Sequence, residues 1–168
     1  VLLPSYLVSN FALPKVEAGF ITGVFIVIAT LIRPIGGLLA DKFNPYFLLI
    51  LVFSLLGIAS VVVAVASQFI VFVVAIMVIS LCSGIGNGVV FKLVPLLAKE
   101  QIGTANGIVA ATGSFGGFFP PLIIAFIVSM FNSHSLGFAF FTVLALVCLS
   151  IIIVNYKRFQ TLIVEEGA

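Results

Sequence analysis

Charged side chains are scarce in this sequence. Asp, Glu, Lys and Arg make up 7% of its 168 residues, whereas hydrophobic residues make up 63%. A soluble domain carries about 25% charged residues, so this composition excludes a soluble globular protein. The apolar runs are continuous rather than alternating, which indicates membrane-spanning helices rather than strands. We therefore predict an all-α membrane protein whose surroundings are the lipid bilayer.

Other residue types are equally sparse, and their scarcity limits the possible chemistry. The net charge of +2 is too small to indicate a nucleic-acid partner. Cys82 and Cys148 lie within apolar runs without CxxC spacing, and the one histidine, His134, lies in a polar loop. This pattern is not that of a metal or redox site. No nucleophile–base pair or phosphate-binding loop is present, so we predict neither a cofactor nor an enzymatic activity.

The apolar runs predict five complete membrane spans, and the whole chain, 1–168, is interpreted as one helical unit. An initial run, 1–14, resembles the last part of a helix and is too short to span. Because the sequence opens at Val1 inside this run, we expect an N-terminal part to precede it. The predicted spans are 18–40, 46–66, 69–97, 104–130 and 137–155.

The basic residues predict the orientation of these spans. Cytoplasmic loops of membrane proteins carry an excess of lysine and arginine. With alternating spans, one side holds five of these residues and the other holds only Lys15; the five are Lys42, Lys92, Lys99, Lys157 and Arg158. We therefore expect a cytoplasmic C-terminus in a multi-pass protein of the cell membrane.

One ionisable residue, Arg33, lies well inside the first predicted span. At 1.5 Å per residue it is about 12 Å from Asp41 and about 24 Å from Glu17. A mid-membrane arginine costs at least about 2.5–3.5 kcal/mol, so we expect it to face a cavity or a partner. The alternative is that it snorkels to the nearer surface. Pro34 follows it and lacks an N–H group, so the helix should bend there.

Two stretches are rich in small residues, SGIGNG at 83–88 and GTANGIVAATGSFGGFFPP at 103–121. At 100° per residue, six residues of the second stretch share a wedge of about 120°: Gly103, Gly107, Ala110, Ala111, Ser114 and Gly117. Small-xxx-small spacing favours close helix packing, and the alternative is the approach of a small ligand. Asn87 is an amide in an apolar run that either bonds to another helix or lines a cavity. The predicted spans contain no Asp or Glu, which excludes a carboxylate proton relay within them.

Four stretches together resemble a known family: GLLADKF at 37–43, LIRPIGGLLADKF at 31–43, GIGNGVVFKLVP at 84–95, and GIVAATGSFGGFFPP at 107–121. The first resembles the cytoplasmic-loop motif of the major facilitator superfamily. All of them together resemble the C-terminal half of bacterial nitrate/nitrite porters of the NarK/NasA type. The resemblance covers nearly the whole chain, with residues 1–14 as the seventh of twelve helices.

The resemblance implies a transporter of nitrate, nitrite or both, with an anion site shared between two halves. Arg33 matches the arginine that the C-terminal half contributes, and the glycine-rich helix matches the family's nitrate signature. The implied substrate-binding residues are Arg33, Asn87, Gly107, Ala110 and Ser114. Structural or gating roles are expected for Pro34, Gly37, Asp41, Lys42, Gly113, Gly116 and Gly117. Some family members carry asparagine near the position of Ser114, so this chain departs from them there.

The partners implied by the resemblance are the nitrate or nitrite anion and the N-terminal half of the same transporter. Three other interpretations remain open. A related facilitator could carry another small anion, an anion channel could use Arg33 in a selectivity ring, and a structural membrane subunit would not need Arg33 at all.

Overall fold

The computed structural model describes residues 2–131 and 134–166. Within these ranges the chain forms seven α-helices and one short 3-10 turn at Lys99–Gln101. The helices are α1 (Leu2–Phe11), α2 (Lys15–Leu31), α3 (Arg33–Lys42), α4 (Pro45–Val65), α5 (Phe69–Leu97), α6 (Ile102–Phe131) and α7 (His134–Glu166). His134, predicted to lie in a loop, is instead the first residue of α7.

Within the described residues, five helical segments are long and apolar enough to cross a membrane. They are Lys15–Lys42, which combines α2 and α3, then Pro45–Val65, Phe69–Leu97, Lys99–Phe131 and Leu136–Tyr156. Helix α1 has 10 residues, about half the number that a span requires. The prediction of an all-α membrane protein with five full spans and one partial helix is confirmed.

The first span is broken at Ile32, one residue before Arg33. Because Pro34 lacks an N–H group, the carbonyl group of Thr30 has no helical donor from that position. The N–H of Ile32 still bonds to the carbonyl of Ile28 at 3.0 Å, and the helical pattern resumes with the N–H of Gly36 on the carbonyl of Ile32 at 3.2 Å. The helix is therefore interrupted where the bend was predicted, and the interruption divides the expected single helix into α2 and α3.

The short turn between α3 and α4 is fixed by a side-chain cap. The Asn44 side chain accepts hydrogen bonds from the backbone N–H groups of Tyr46 at 2.9 Å and Phe47 at 3.4 Å. Pro45 occupies the first helical position, where a missing N–H costs nothing. This arrangement explains why α4 begins immediately after the α3 turn.

Helices α4 and α5 form the centre of the helix bundle. Helix α4 packs along α5 and α7, and α5 packs also against α2 and α3. At one end of the bundle Tyr6 of α1 stacks on Phe72 of α5 at 4.8 Å and meets the edge of Phe138 of α7 at 5.0 Å. Helix α6 is the least covered: of its described residues, only Pro120 and Ile124 are buried.

Candidate functional site

Arg33 is the first residue of α3, and its side chain is exposed on the surface of the chain. Among the described residues, it takes part in no ion pair or side-chain hydrogen bond. The residue belongs to the apolar segment Lys15–Lys42, where an isolated charge is costly. The helix break therefore coincides with a guanidinium that has no partner among the described residues.

Helix α5 holds the backbone at this break through small residues in a regular register. Three of them face three carbonyl groups of α2 and α3: Ser80 faces Phe25, Gly84 faces Ala29, and Gly88 faces Arg33. We call this contact the α5 seam. The Ser80 hydroxyl donates a 2.6 Å hydrogen bond to the Phe25 carbonyl. A methyl group on Gly84 or Gly88 would collide with the carbonyl that each faces.

A glycine of α3 also packs closely against the backbone of α5 and strengthens the α5 seam. A methyl group on Gly36 of α3 would collide with the backbone of Ile85 in α5. Such close backbone approach allows Cα–H···O contacts, each contributing about 0.5–1 kcal/mol. The small residues at 83–88 therefore serve helix packing, which was one of the two interpretations of this stretch.

Asn87 lies on α5 next to Gly88, which contacts the backbone of Arg33. Its Oδ1 atom is buried and has no hydrogen-bond partner among the described residues. The same is true of the Oδ1 atom of Asn106 on α6. A buried polar atom without a partner is uncommon and calls for an explanation. Asn87 thus lies on the helix that packs against α3, which carries Arg33.

The small residues of α6 are more exposed than those of the α5 seam. We call six of them the α6 strip: Gly103, Gly107, Ala110, Ala111, Ser114 and Gly117. All six are exposed. A methyl group added to Gly103, Gly107 or Gly117 would meet no atom within 4 Å, and the same holds for Gly113 and Gly116. The Ser114 hydroxyl donates to the carbonyl of Ala110 in its own helix at 3.0 Å. No described helix packs on this strip.

The structure does not bring the α6 strip against Arg33. Helix α6 packs mainly on α7 and has a smaller contact with α5, and it forms no extended contact with α2 or α3 in the described part of the chain. The predicted substrate-binding residues therefore fall into two groups. Arg33 and Asn87 share one helix pair, whereas Gly107, Ala110 and Ser114 lie on a separate open face.

A third feature lies at the end of α3. The Lys92 ammonium of α5 pairs with the Asp41 carboxylate at 2.5 Å, and both side chains are nearly half exposed. The sequence pattern used Lys92 only to predict orientation and did not indicate this partner. Lys42 is the last residue of α3 and is exposed, while a methyl group on Gly37 would meet open space.

The contacts of the α5 seam with α2 and α3 were also not predicted by the sequence analysis. The signal was present in the sequence, since Ser80, Gly84 and Gly88 recur at intervals of four residues. This spacing puts small residues on one face of a helix. The spacing does not reveal which helix they contact.

Comparison with known proteins gives a consistent assignment. The family model of the Major Facilitator Superfamily matches residues 1–162. The chain is 44% identical over 149 residues to the "Probable nitrate transporter NarT" of Staphylococcus aureus strain JH9 and 42% identical to the protein of that name from Staphylococcus epidermidis. In both cases the match covers 89% of this chain and 38% of the relative. No solved structure matches the chain significantly.

Proposed function

This chain belongs to the major facilitator superfamily, and on that premise we propose that it is part of a transporter of nitrate, nitrite or both. The observation that carries the proposal is Arg33, an exposed guanidinium without a partner among the described residues, inside an apolar segment. The relatives named as probable nitrate transporters support the choice of anion. Membership of a transporter family indicates a multi-pass membrane transporter rather than an enzyme.

The chemistry of Arg33 suits these anions. Nitrate and nitrite are small, planar and singly charged, and a guanidinium offers a rigid fork of donors to two oxygen atoms at once. It also keeps its charge throughout a transport cycle, because arginine is not deprotonated in proteins. Asn87, one residue from the glycine that contacts the Arg33 backbone, has an amide whose N–H groups are suitable donors for an anion.

The chain spans 38% of the length of the curated relatives it matches. We propose that it acts as the C-terminal half of the transporter, together with an N-terminal half. The open α6 strip, with Gly107, Ala110 and Ser114, then faces the anion path or the other half. Alternating access follows from the rocking of one half against the other around a site near the membrane midplane, with the C-terminus of this chain in the cytoplasm.

Reconstitution of the complete transporter in liposomes tests this function. We expect external nitrate to drive the release of trapped nitrite, and chloride or formate to compete weakly. The present chain alone should give no exchange above empty vesicles, because it provides one arginine of a shared site and leaves the α6 strip uncovered.

The same assay separates the alternative functions. Efficient exchange of another small anion, with nitrate inactive, would reassign the substrate. Single-channel currents far above carrier turnover would indicate a channel. Full activity without the Arg33 side chain would remove the basis of the proposal.

A further inference from the structure

We propose that Gly84 and Gly88 of α5 are positioning residues that set the location of the Arg33 side chain. This inference rests on the proposed function, because it concerns how the anion-binding arginine is held. It goes beyond that function by assigning a role in anion affinity to glycines that do not themselves contact the anion.

The first step of the argument is the register of the α5 seam. Ser80, Gly84 and Gly88 follow each other at intervals of four residues, and so do the carbonyl groups they face, at Phe25, Ala29 and Arg33. Four residues correspond to about 6 Å along a helix, so the seam extends for roughly 12 Å. A matched interval on both helices fixes their relative height as well as their separation.

The second step is the place where the seam ends. Its last contact is the backbone of Arg33 itself, immediately after the break at Ile32. A helix break is a point of bending, so Arg33 would otherwise be held loosely relative to α2. Gly88 contacts α3 just beyond the break, and Gly84 contacts α2 just before it. Helix α5 thus bridges the two segments and fixes the angle between them.

The third step is that the contacts involve backbone atoms. A methyl group on Gly88 would collide with the carbonyl oxygen of Arg33 and with the backbone N of Gly37 at 2.9 Å. A methyl group on Gly84 would collide first with Cγ2 of the Ile32 side chain and then with the carbonyl oxygen of Ala29 at 2.5 Å. A flexible side chain could move aside, but a backbone group moves only with its helix. Enlargement at Gly88 therefore displaces α3, which carries the guanidinium, and enlargement at Gly84 displaces the end of α2 that leads into it.

Helix α5 also offers a matched control on its other side. A methyl group on Gly86 would lie 3.1 Å from Cγ1 of Val52 in α4. Gly86→Ala therefore tightens α5 packing by the same chemical change, without touching α2 or α3. Gly86→Ala controls for an added methyl group on α5, because its contact with the Val52 side chain is milder and leaves the backbone of α2 and α3 in place.

The test compares Gly84→Ala, Gly88→Ala and Gly86→Ala in the complete transporter, with rates normalised to the amount of protein in the membrane. A displacement on the order of 1 Å can cost about 100-fold in the use of a bound group, so we expect the first two variants to raise the KM for nitrate at least about tenfold. Gly86→Ala should keep the KM near the parent value. An unchanged KM in Gly88→Ala, or an equal rise in Gly86→Ala, would overturn the inference.

A second readout does not depend on nitrate. In a transporter carrying Arg33→Cys, the rate of reaction with a small water-soluble thiol reagent reports where the side chain at position 33 lies. Adding Gly88→Ala should change this rate, and adding Gly86→Ala should not. If the parent transporter fails to carry nitrate, the proposed function is wrong, and these thiol rates still decide the role of the seam.

A less disruptive variant tests the inference if the Gly88→Ala protein does not accumulate in the membrane. Ser80→Ala adds no atoms and removes the hydrogen bond from Ser80 to the Phe25 carbonyl in the same seam. We expect a smaller rise in the KM for nitrate, in the same direction. A KM equal to that of the parent would contradict the positioning role.

Discussion

The Lys92 ammonium of α5 contacts the Asp41 carboxylate at the end of α3, at 2.5 Å. The two side chains are 43% and 47% exposed. Exposed ion pairs typically contribute about 0.2–1 kcal/mol, so this contact holds the end of α3 to α5 only weakly. The tighter connection between the two helices is the α5 seam.

This weak pairing leads to the first prediction. Asp41→Asn and Lys92→Met should each lower the stability of the protein in detergent by no more than about 1 kcal/mol. Their effects should be less than additive in the double variant, because both remove the same contact. Thermal unfolding of the four proteins measures the coupling, and Lys15→Met serves as a control far along the sequence. Fully additive losses would mean that the pair does not form in the membrane protein.

The second prediction concerns orientation. With a cytoplasmic C-terminus, the turn between α4 and α5 faces outward and the turn before α6 faces inward. Gln68 and Gln101 are exposed in these two turns. In intact cells an impermeant thiol reagent should label Gln68→Cys and spare Gln101→Cys, and permeabilised cells should label both. The parent chain, whose Cys82 and Cys148 lie within helices, controls for background. Labelling of Gln101→Cys alone in intact cells would reverse the topology.

The third prediction concerns Arg33. Removal of a charge that binds an opposite charge typically costs about 2–5 kcal/mol, and about 1.4 kcal/mol is tenfold. Arg33→Ala should therefore weaken nitrate binding by roughly 30-fold or more. Arg33→Lys keeps the charge but loses the planar fork of donors, so transport should also collapse.

Nitrate-dependent thermal stabilisation and liposome exchange measure these two losses. The control is the amount of each variant in the membrane, which should match the parent. Near-normal transport by Arg33→Lys or Arg33→Ala would mean that the side chain only snorkels to the surface.

The fourth prediction concerns the α6 strip. Gly107→Leu and Ser114→Leu add bulk to the open face of α6, and both should abolish transport by blocking the anion path or the contact with the other half. Thr112 lies on the opposite side of α6 at 100° per residue, and its hydroxyl bonds within its own helix. Thr112→Leu is therefore the matched control and should transport well. Equal activity of all three variants in the exchange assay would show that the strip faces only lipid.

The sequence predicted those features that depend on nearby residues. Continuous apolar runs predicted that there are five spans, and Pro34 predicted the break in the first of them. These patterns are local, because a helix satisfies its own backbone hydrogen bonds within four residues. The role of Pro45 at the start of α4 was predictable for the same reason.

The partners of individual residues were not predictable in this way. The spacing of small residues in α5 and α6 is similar, yet the α5 seam is packed against another helix and the α6 strip is open. Lys92 had a partner in Asp41 that no local pattern indicated. Such differences arise from the way in which helices far apart in the chain pack together. The spacing of residues within one helix does not predict that packing.

The α5 seam also has a consequence for the order of events during synthesis. The hydrogen bond from Ser80 to Phe25 joins residues that are 55 positions apart. At about 5–20 residues per second, α5 is made roughly 3–11 s after the part of α2 that it contacts. During this interval Arg33 has entered the membrane without the helix that later fixes its backbone. The nascent chain therefore has to shelter this charge, within the insertion machinery or against an earlier helix, until translation delivers Gly84 and Gly88.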